Sequence, residues 1–179
     1  MPAAVPTRIS IVIPALNEAA GIAETLRPLQ PLRARGHEVI LVDGGSADAT
    51  VEIARPLADQ VIASEPGRAR QQNAGAEAAG GDVLLFLHAD TLLPDDADQL
   101  VIDGLMASGR GWGRFDVRLS GRAPALRMVG RMMSLRSRAT GIATGDQAIF
   151  VRRDWFRDVS GFPGIPLMED VALSGTLKR

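Results

Sequence analysis

The chain has 179 residues, a length typical of one domain, and its 20 basic and 21 acidic residues nearly balance. This balance gives no sign of nucleic-acid binding, and the absence of cysteine excludes disulfides and thiolate chemistry. The only lysine is Lys178 and there are only two histidines, so the chain has neither a P-loop nor the motif of a serine hydrolase. Carboxylates are therefore the expected carriers of any catalytic chemistry.

The amino-terminal segment gives no sign of export or membrane insertion. It lacks the basic start of a signal peptide, and its apolar run is short and interrupted by Pro14. We therefore expect a cytoplasmic protein.

Strands and helices are predicted to alternate over the first half of the chain. Apolar and β-branched runs predict strands at 8–14, 38–43, 60–64 and 83–87. Helical composition predicts helices at 19–26, 49–54 and 68–79, with Pro28 and Pro31 ending the first. Strands that alternate with helices pair in parallel through right-handed crossovers. The predicted fold is α/β, a Rossmann-like three-layer sandwich with a central, mostly parallel sheet.

The region after residue 107 is less regular. A predicted helix at 94–107 leads into it, followed by a strand at 113–119, a long helix at 124–138 and a returning strand at 147–153. On a helical wheel the apolar residues of the long helix share one half, and its arginines cluster on the other. We favour a helix whose apolar half packs into the core. The alternative is a surface that meets anionic lipid headgroups or a phosphorylated acceptor.

The run VLLFLHAD predicts a buried strand that ends in polar residues. Ligands bind at the carboxyl edge of open parallel sheets, and Asp43, Asp48, Asn17 and Glu18 follow other strands at the same edge. Several carboxylates around one crevice repel each other unless a cation or a donor-rich ligand is present. A diphosphate carrying Mg²⁺ or Mn²⁺ meets this need, and Asp90 suffices as protein ligand because phosphate oxygens supply the rest.

These acids also have structural interpretations. Asp48 is a plausible N-cap for the second helix, and we prefer that role for it. Asp90 could cap the turn that follows it. Glu18, like the pair Glu169 and Asp170, could be an acid at a helix N-terminus that the helix dipole favours.

Five motifs in sequence order carry a resemblance to a known family. They are PALNE at 14–18, VDGGSADAT at 42–50, GRARQQNAG at 67–75, LFLHADT at 85–91, and GFP followed by MED within 161–170. Together they resemble the successive motifs of family 2 glycosyltransferases over nearly the whole chain. The resemblance implies a GT-A fold and an inverting transfer from a nucleotide-diphosphate sugar donor to a hydroxyl acceptor.

A finer resemblance rests on four short segments. GRARQQN, LHADT, GDQAIF and IPLMED together resemble the subgroup labelled arsenosugar-biosynthesis glycosyltransferases. We expect a single GT-A domain over residues 1–179, in which 1–107 binds the nucleotide sugar and 108–179 shapes the acceptor side.

The resemblance also implies roles for individual residues. The residues that would line the base and ribose of the nucleotide are Pro14, Asn17, Glu18 and Asp43. Arg68 would approach the donor, and Asp90 matches the metal-binding carboxylate. Asp170 matches the catalytic base, with Glu169 beside it in support. Inversion needs a base that takes the proton of the acceptor hydroxyl while a metal stabilises the departing diphosphate.

The chain departs from the family pattern in three places. His88 stands where the first Asp of the family's Asp-x-Asp usually is, although an imidazole can still hydrogen-bond a ribose hydroxyl. By itself, such a histidine is more often a hydrogen-bonded strand-end residue than a ligand. Gly44 replaces the second Asp of the common Asp-Asp-Gly-Ser. The chain ends nine residues after Asp170, so we expect either a truncated piece that binds donor without transfer, or a minimal acceptor pocket.

Two other functions compete with glycosyl transfer. A sugar-phosphate nucleotidyltransferase uses a similar fold, but it needs a glycine-rich amino-terminal loop with arginine and lysine, which PALNEAAG lacks. A non-catalytic nucleotide-sugar binding module is favoured by the missing first Asp and the early carboxyl end. Peripheral contact of helix 124–138 with the inner membrane surface is a further open expectation.

Overall fold

The computed structural model describes residues 8–121 and 124–178, and its centre is a six-stranded sheet in the order β3-β2-β1-β4-β6-β5. The strands are β1 (Ile9–Ala15), β2 (Glu38–Asp43), β3 (Gln60–Ala63), β4 (Val83–Phe86), β5 (Trp112–Gly113) and β6 (Phe150–Arg152). β1 to β4 pair in parallel, whereas β6 pairs antiparallel with β4 and β5. The four parallel strands lie within one residue of the predicted ends.

Eight helices surround this sheet in the described part of the chain. They are α1 (Ile22–Leu26), α2 (Gln30–Ala34), α3 (Thr50–Ala54), α4 (Arg68–Ala78), α5 (Ala97–Ser108), α6 (Pro124–Thr140), α7 (Arg153–Asp158) and α8 (Glu169–Leu177). Pro28 and Pro31 follow α1 without ending the helical path. They occupy the first turns of a 3-10 helix (Arg27–Leu29) and of α2, where a missing N–H breaks no hydrogen bond.

Apolar side chains fill both faces of the sheet. In β1, Ile11 and Ile13 join the core under α1, α2, α3 and α5, whereas Val12 joins the core under α4, α7 and α8. In β4, Leu85 and Phe86 divide in the same way. Successive side chains of a strand alternate between faces, so burial on both faces produces a continuous apolar run. The three-layer sandwich and the buried VLLF strand are confirmed.

The predicted strand at 113–119 is wrong in extent, because β5 is only two residues long. Later N–H groups bond elsewhere: Phe115 donates to the carbonyl of Gln147 at 2.7 Å, and Val117 donates to Ser134 Oγ at 3.2 Å. β6 also begins three residues later than predicted, because a 3-10 turn ends at Gln147. This region therefore wraps between the sheet and α6 instead of extending the sheet.

α6 forms where predicted but packs through a different face, because both its apolar half and its arginines are largely exposed. Its buried residues include Gly130 and Ser134, whereas Met128 and Met132 are each 61% exposed. A Cβ at Gly130 would lie 2.9 Å from the carbonyl oxygen of Val117. The favoured prediction, an apolar half in the core, is wrong because this close backbone contact admits only small residues on the packed face.

Candidate active site

The loops that follow β1 and β2 are hydrogen-bonded to each other at the carboxyl edge of the sheet. Asn17 donates its backbone N–H to Ser46 Oγ at 2.9 Å, and its Oδ1 accepts the N–H of Ala47 at 2.9 Å. Asn17 has a φ of 56°, in the left-handed region that asparagine tolerates better than most residues. The two loops form one platform on which Asn17 is exposed.

Glu18 and Asp48 continue this platform toward α1 and α3. The N–H of Glu18 donates to Thr50 Oγ1 at 2.8 Å, and Asp48 accepts the N–H groups of Thr50 at 3.0 Å and Ala19 at 3.1 Å. The N-cap of α3 is Ala49, so the N-cap prediction for Asp48 is wrong by one residue. Hydrogen bonding, first of all from the Thr50 hydroxyl, lowers the pKa of Asp48. These contacts give Asp48 a structural role in joining the two loops.

Asp43 closes the turn after β2. It is 8% exposed, and its Oδ2 accepts the N–H groups of Gly45 and Ser46, each at 3.1 Å. Pro14, half-buried, lies on the adjacent strand end. β4 pairs with β1 only as far as Val12, so the missing N–H of the proline breaks no bond on that side. Pro14 and Asp43, two of the predicted nucleotide-lining residues, therefore lie at the same carboxyl edge of the sheet.

Gln71 of α4 is a buried member of this edge that sequence inspection did not single out. Its Nε2 donates to the carbonyls of Ala15 at 2.8 Å and Val42 at 2.9 Å, which ties the ends of β1 and β2 together. A Cβ at Gly44 would lie only 3.0 Å from the carboxamide of Gln71. A side chain at this position would crowd Gln71, whose carboxamide would have to shift by a few tenths of an ångström, whereas glycine needs no such shift.

Arg68 and Glu169 form an ion pair between α4 and α8. Their Nη1 and Oε1 atoms are 3.6 Å apart, and the Glu169 side chain is 2% exposed, whereas that of Arg68 is 53% exposed. No described residue donates a hydrogen bond to Glu169 Oε1. The buried charge is therefore compensated by Arg68 and by the N-terminal end of the α8 dipole.

Asp170, the next residue, links α8 to the 3-10 turn before β6 (Gly145–Gln147). Its Oδ1 accepts the N–H of Val171 at 2.7 Å, and its Oδ2 accepts the N–H of Gly145. Asp170 is only partly buried.

His88, just past the end of β4, lies against the other side of Gly145. Its Nδ1 is 3.3 Å from Asp146 Oδ1, and its buried Nε2 finds no hydrogen-bond partner in the described chain. A Cβ at position 145 would lie 2.2 Å from this Nε2, so only glycine fits there. Sequence reasoning missed Gly145 and Asp146 as site residues, although both lie in the quoted segment GDQAIF.

Asp90 is exposed on the loop that begins at His88. Thr91 Oγ1 lies 3.4 Å from its Oδ1, and no other described residue gives it a hydrogen bond or an ion pair. The loop itself is anchored, because the hydroxyl of Thr25 donates to the carbonyl of Ala89. A free carboxylate on an anchored loop fits a hard divalent cation. Residues 8–121 and 124–178 contain no group of three His, Cys, Asp or Glu side chains able to hold a metal ion.

Asn73 of α4 holds the loop that leads to α8. Its Nδ2 donates to the carbonyl of Phe162 at 2.9 Å, and its Oδ1 accepts the N–H of Phe162 at 2.9 Å. The ring of Phe162 meets that of Phe86 edge to face, with centroids 4.7 Å apart. These contacts place the start of α8 beside the end of β4.

The predicted residues thus fall into two groups at the carboxyl edge of the parallel strands. The first group, on the platform of β1 and β2, is Pro14, Asn17, Glu18 and Asp43. The second group, around α8 and the end of β4, is Arg68, His88, Asp90, Glu169 and Asp170. Within the second group, direct contacts join Arg68 to Glu169, and Gly145 joins Asp170 to His88.

Comparison with solved structures identifies the fold. A mannosyltransferase from Pyrobaculum calidifontis, in complex with GDP-Man and Mn²⁺, superimposes with a TM-score of 0.75 at 23% identity, covering 98% of this chain and 52% of that one. S. aureus TarS in complex with UDP-GlcNAc superimposes with a TM-score of 0.72 at 19% identity, covering 93% and 52%. The chain has the GT-A fold and spans about half of each solved protein.

Sequence comparison identifies the family. The profile of Glycosyl transferase family 2 matches residues 10–157, well over half of the chain. The succinoglycan biosynthesis protein ExoA of Rhizobium meliloti is 42% identical over 111 residues, which cover 55% of this chain and 33% of ExoA. The chain therefore spans about a third of that relative. On these grounds the protein belongs to glycosyl transferase family 2.

Proposed function

We propose that the chain is the catalytic domain of an inverting, metal-dependent glycosyltransferase that moves a sugar from a nucleotide-diphosphate sugar to a hydroxyl of an acceptor. The observation that supports this most is the contact of Asp170 with Gly145, which in turn lies against His88. The contact supports Asp170 as the base, because it connects this carboxylate through Gly145 to His88 at the end of β4. His88 and Asp90 belong to the same loop after β4, and this supports the assignment of base and metal ligand to one site.

In this proposal the platform of β1 and β2 receives the nucleoside. Its lining residues are Pro14, Asn17, Glu18 and Asp43. Because their loops are hydrogen-bonded to each other, the platform is formed before the ligand arrives. Arg68, half-exposed at the N-terminus of α4, reaches the donor and adds positive charge near the diphosphate. His88 takes the place of the first carboxylate and contacts the donor through a ring nitrogen.

Asp170 is the proposed catalytic base. It takes the proton from the acceptor hydroxyl as that oxygen attacks the anomeric carbon, and the bond from this carbon to the diphosphate oxygen breaks on the opposite face. The N–H groups of Gly145 and Val171 fix the orientation of the carboxylate. Glu169, paired with Arg68, holds the first turn of α8 and supports the base electrostatically.

Asp90 would hold Mg²⁺ or Mn²⁺ together with the phosphate oxygens of the donor. When bound, such an ion stabilises the negative charge that develops on the departing diphosphate. The solved neighbours carry GDP-Man with Mn²⁺ in one case and UDP-GlcNAc in another, so a UDP-sugar and a GDP-sugar are the first donors to test.

Three finer assignments belong to the same proposal. Residues 1–107 bind the donor and 108–179 shape the acceptor side, although strands from both halves lie in one sheet. Membership of the arsenosugar-biosynthesis subgroup rests on its four motifs, whereas ExoA is named for succinoglycan synthesis.

No helix in residues 8–121 and 124–178 is long and apolar enough to cross a bilayer. The membrane contact that we propose is peripheral, with helix 124–138 at the inner membrane surface.

Thermal shift with UDP- and GDP-sugars, with and without Mn²⁺, tests the proposal on the wild type, on Asp90→Ala and on the exposed control Asp158→Ala. A ligand that binds the folded state raises the melting temperature by mass action. We expect one nucleotide sugar to stabilise the wild type and the control only with metal, and to leave Asp90→Ala unshifted. Stabilisation of all three proteins without metal would refute the role of Asp90.

A non-catalytic binding module is the second candidate, and His88 in place of the first aspartate is the feature that favours it. It predicts the same thermal shift but no hydrolysis of the donor and no transfer. Release of nucleoside diphosphate from the stabilising sugar would exclude it.

A further inference from the structure

The outer surface of α6 is apolar although the helix is packed against the protein. Met128, Met132 and Leu135 are 61%, 61% and 64% exposed, and Val129 is 43% exposed. The helix uses small residues for its packed face, with Ser134 at 7% exposure receiving the N–H of Val117. Exposed apolar residues that form a continuous stripe usually mark a surface that meets another molecule.

A cleft of about 550 Å³ lies beside this stripe, between α6 and the segment 116–119. Its lining residues are Asp116, Val117, Arg118, Leu119, Arg127, Arg131, Ser134, Leu135 and Arg138. Four of these are arginines and only one is acidic. The exposed Leu135 belongs both to the cleft and to the apolar stripe, so the two surfaces are continuous.

The single carboxylate of the cleft is already neutralised. Asp116 pairs with Arg114 at 2.5 Å and also with Arg138. Burial raises its pKa, but the hydrogen bonds from Arg138 and Arg114 together outweigh burial, so the pKa is lowered overall. Arg118, Arg127 and Arg131 have no ion-pair partner in the part of the chain that the structure describes. α6 itself contains no acidic residue. The cleft therefore carries uncompensated positive charge suited to a phosphate.

Both walls of the cleft are connected to the turn Gly145–Gln147, whose first residue contacts Asp170. The wall at 116–119 begins directly after Phe115, whose N–H donates to the carbonyl of Gln147 at 2.7 Å. The other wall, α6, ends at Thr140, a short distance along the chain from Gly145. Both walls belong to residues 108–179, the half to which the proposed function assigns the acceptor.

We propose that the cleft and the apolar stripe together bind the phosphate group of a lipid-borne acceptor, with the arginines on the phosphate and the stripe in the apolar edge of the membrane. The inference rests on the proposed glycosyl transfer and names the chemical class of its acceptor. A soluble sugar phosphate would satisfy the arginines but would leave Met128, Met132 and Leu135 in water. An amphiphile with an anionic head satisfies both surfaces, which is the combination that interfacial helices use.

Co-sedimentation with vesicles tests the proposal, using phosphatidylcholine alone and phosphatidylcholine with phosphatidic acid. We expect binding only to the vesicles that contain the phosphate monoester. Arg127→Gln with Arg131→Gln should weaken binding on the order of 25-fold, since each arginine near an anionic surface contributes about a fivefold factor. Arg27→Gln with Arg55→Gln, two exposed arginines elsewhere, is the matched control and should bind almost as the wild type does.

A second pair, Met132→Gln with Leu135→Gln, separates a lipid from a soluble phosphate. We expect this pair to lose vesicle binding while glycerol 3-phosphate has no effect on any of the proteins. Unchanged vesicle binding by this pair, or equal losses in the two arginine pairs, would overturn the proposal. A thermal shift with glycerol 3-phosphate that requires Arg127 and Arg131 would also overturn it, because the cleft would then bind a soluble acceptor. So would a wild-type dimer that Met132→Gln with Leu135→Gln converts to a monomer, because the stripe would then bind a second copy of the chain.

Donor binding distinguishes failure of this inference from failure of the proposed function. A variant that is stabilised by the nucleotide sugar with Mn²⁺ is folded and has an intact donor site. If wild-type protein shows that stabilisation but does not bind phosphatidic acid vesicles, the acceptor inference is wrong and the glycosyltransferase proposal stands.

Discussion

The backbone N–H of Gly145 donates a hydrogen bond to the carboxylate of Asp170 and so connects the turn before β6 to the first turn of α8. The same glycine lies against the imidazole of His88, where a Cβ would come within 2.2 Å of Nε2. A residue without a side chain thus orients the proposed base and sets the position of the strand-end histidine.

Gly145→Ala is expected to damage the site more than the fold. The added methyl must push His88 away or shift the turn, and overpacking of this kind costs roughly 1–3 kcal/mol of stability. The shift also loosens the hydrogen bond to Asp170, so we expect transfer activity to fall further than the melting temperature implies. Gly164→Ala is the control, because a Cβ there meets nothing within 4 Å. Equal activity and stability in the two variants would show that His88 and Gly145 are not in contact.

Asp170→Asn should remove transfer and spare donor binding. The amide oxygen can accept the N–H of Gly145, but the –NH₂ group cannot accept that of Val171 and the side chain cannot take a proton. The rate should therefore fall on the order of 10²–10⁴-fold. Single-turnover transfer measures the rate, and thermal shift with the nucleotide sugar measures donor binding. Asp158→Asn, at an exposed site on α7, should change neither. Turnover that survives in Asp170→Asn would assign the base to another residue.

Arg68→Gln should destabilise the protein, because it leaves the carboxylate of Glu169 buried without its cation. We expect a loss of about 1–2 kcal/mol in the free energy of unfolding, measured with urea, since the arginine is half-exposed and the pair is partly screened. Arg70→Gln removes a neighbouring arginine whose side chain and partner, Glu65, are 64% and 78% exposed, and should cost less than about 0.5 kcal/mol.

The double variant Arg68→Gln with Glu169→Gln provides the complementary test. A neutral amide costs less to bury than an unpaired carboxylate, so the second substitution should restore part of the stability lost in the first. If Arg68→Gln were no worse than Arg70→Gln, the carboxylate of Glu169 would not depend on Arg68.

Acid should weaken the fold through Asp98 on α5. Hydrogen bonding from Arg35, and then from His37, lowers the pKa of Asp98 from its ordinary value of 3.8 to about 2, against the effect of burial. His37 Nδ1 accepts the N–H of Ile9 at 3.2 Å, so its Nε2 carries the proton that faces Asp98 at 3.0 Å. This contact ties α5 to the start of the sheet.

The sign of the pH effect follows from the depressed pKa. The stabilisation is present above pH 4 and is lost as the pH falls through 4 toward 2, because the unfolded chain binds the proton first. Urea unfolding between pH 5 and 2 should show a loss of about 1–2 kcal/mol in the wild type relative to Asp98→Asn. Glu52→Gln, at an exposed acid of α3, should keep the wild-type pH dependence. A wild-type curve parallel to that of Asp98→Asn would contradict the assignment.

The strand predictions that were confirmed concern segments whose burial can be recognised from their own residues. β1, β2 and β4 are covered on both faces, so each is a continuous apolar run that is visible without any partner. The parallel pairing then follows from the alternation of strands and helices. The same alternation places Asn17, Asp43 and Asp90 at one edge of the sheet.

The orientation of α6 could not be deduced in this way. A helical wheel separates apolar from charged residues, but it does not reveal which side of the helix meets the protein. The packed side was decided by the backbone of 116–119, which approaches so closely that Gly130 and Ser134 fit and methionine does not. Gly44 is a similar case, because the carboxamide of Gln71, from a different helix, would come within 3.0 Å of any Cβ there.

The sequence by itself determined the four parallel strands and the strand ends that carry Asp43 and Asp90, because those features depend on the hydrophobicity and turn chemistry of local segments. Only the tertiary structure decided that Gly145 joins His88 to Asp170. β6 runs antiparallel to β4, with Leu85 opposite Phe150, so the turn before β6 must return to the residues after β4. That register depends on side chains far apart in the sequence, and a local pattern carries no information about it.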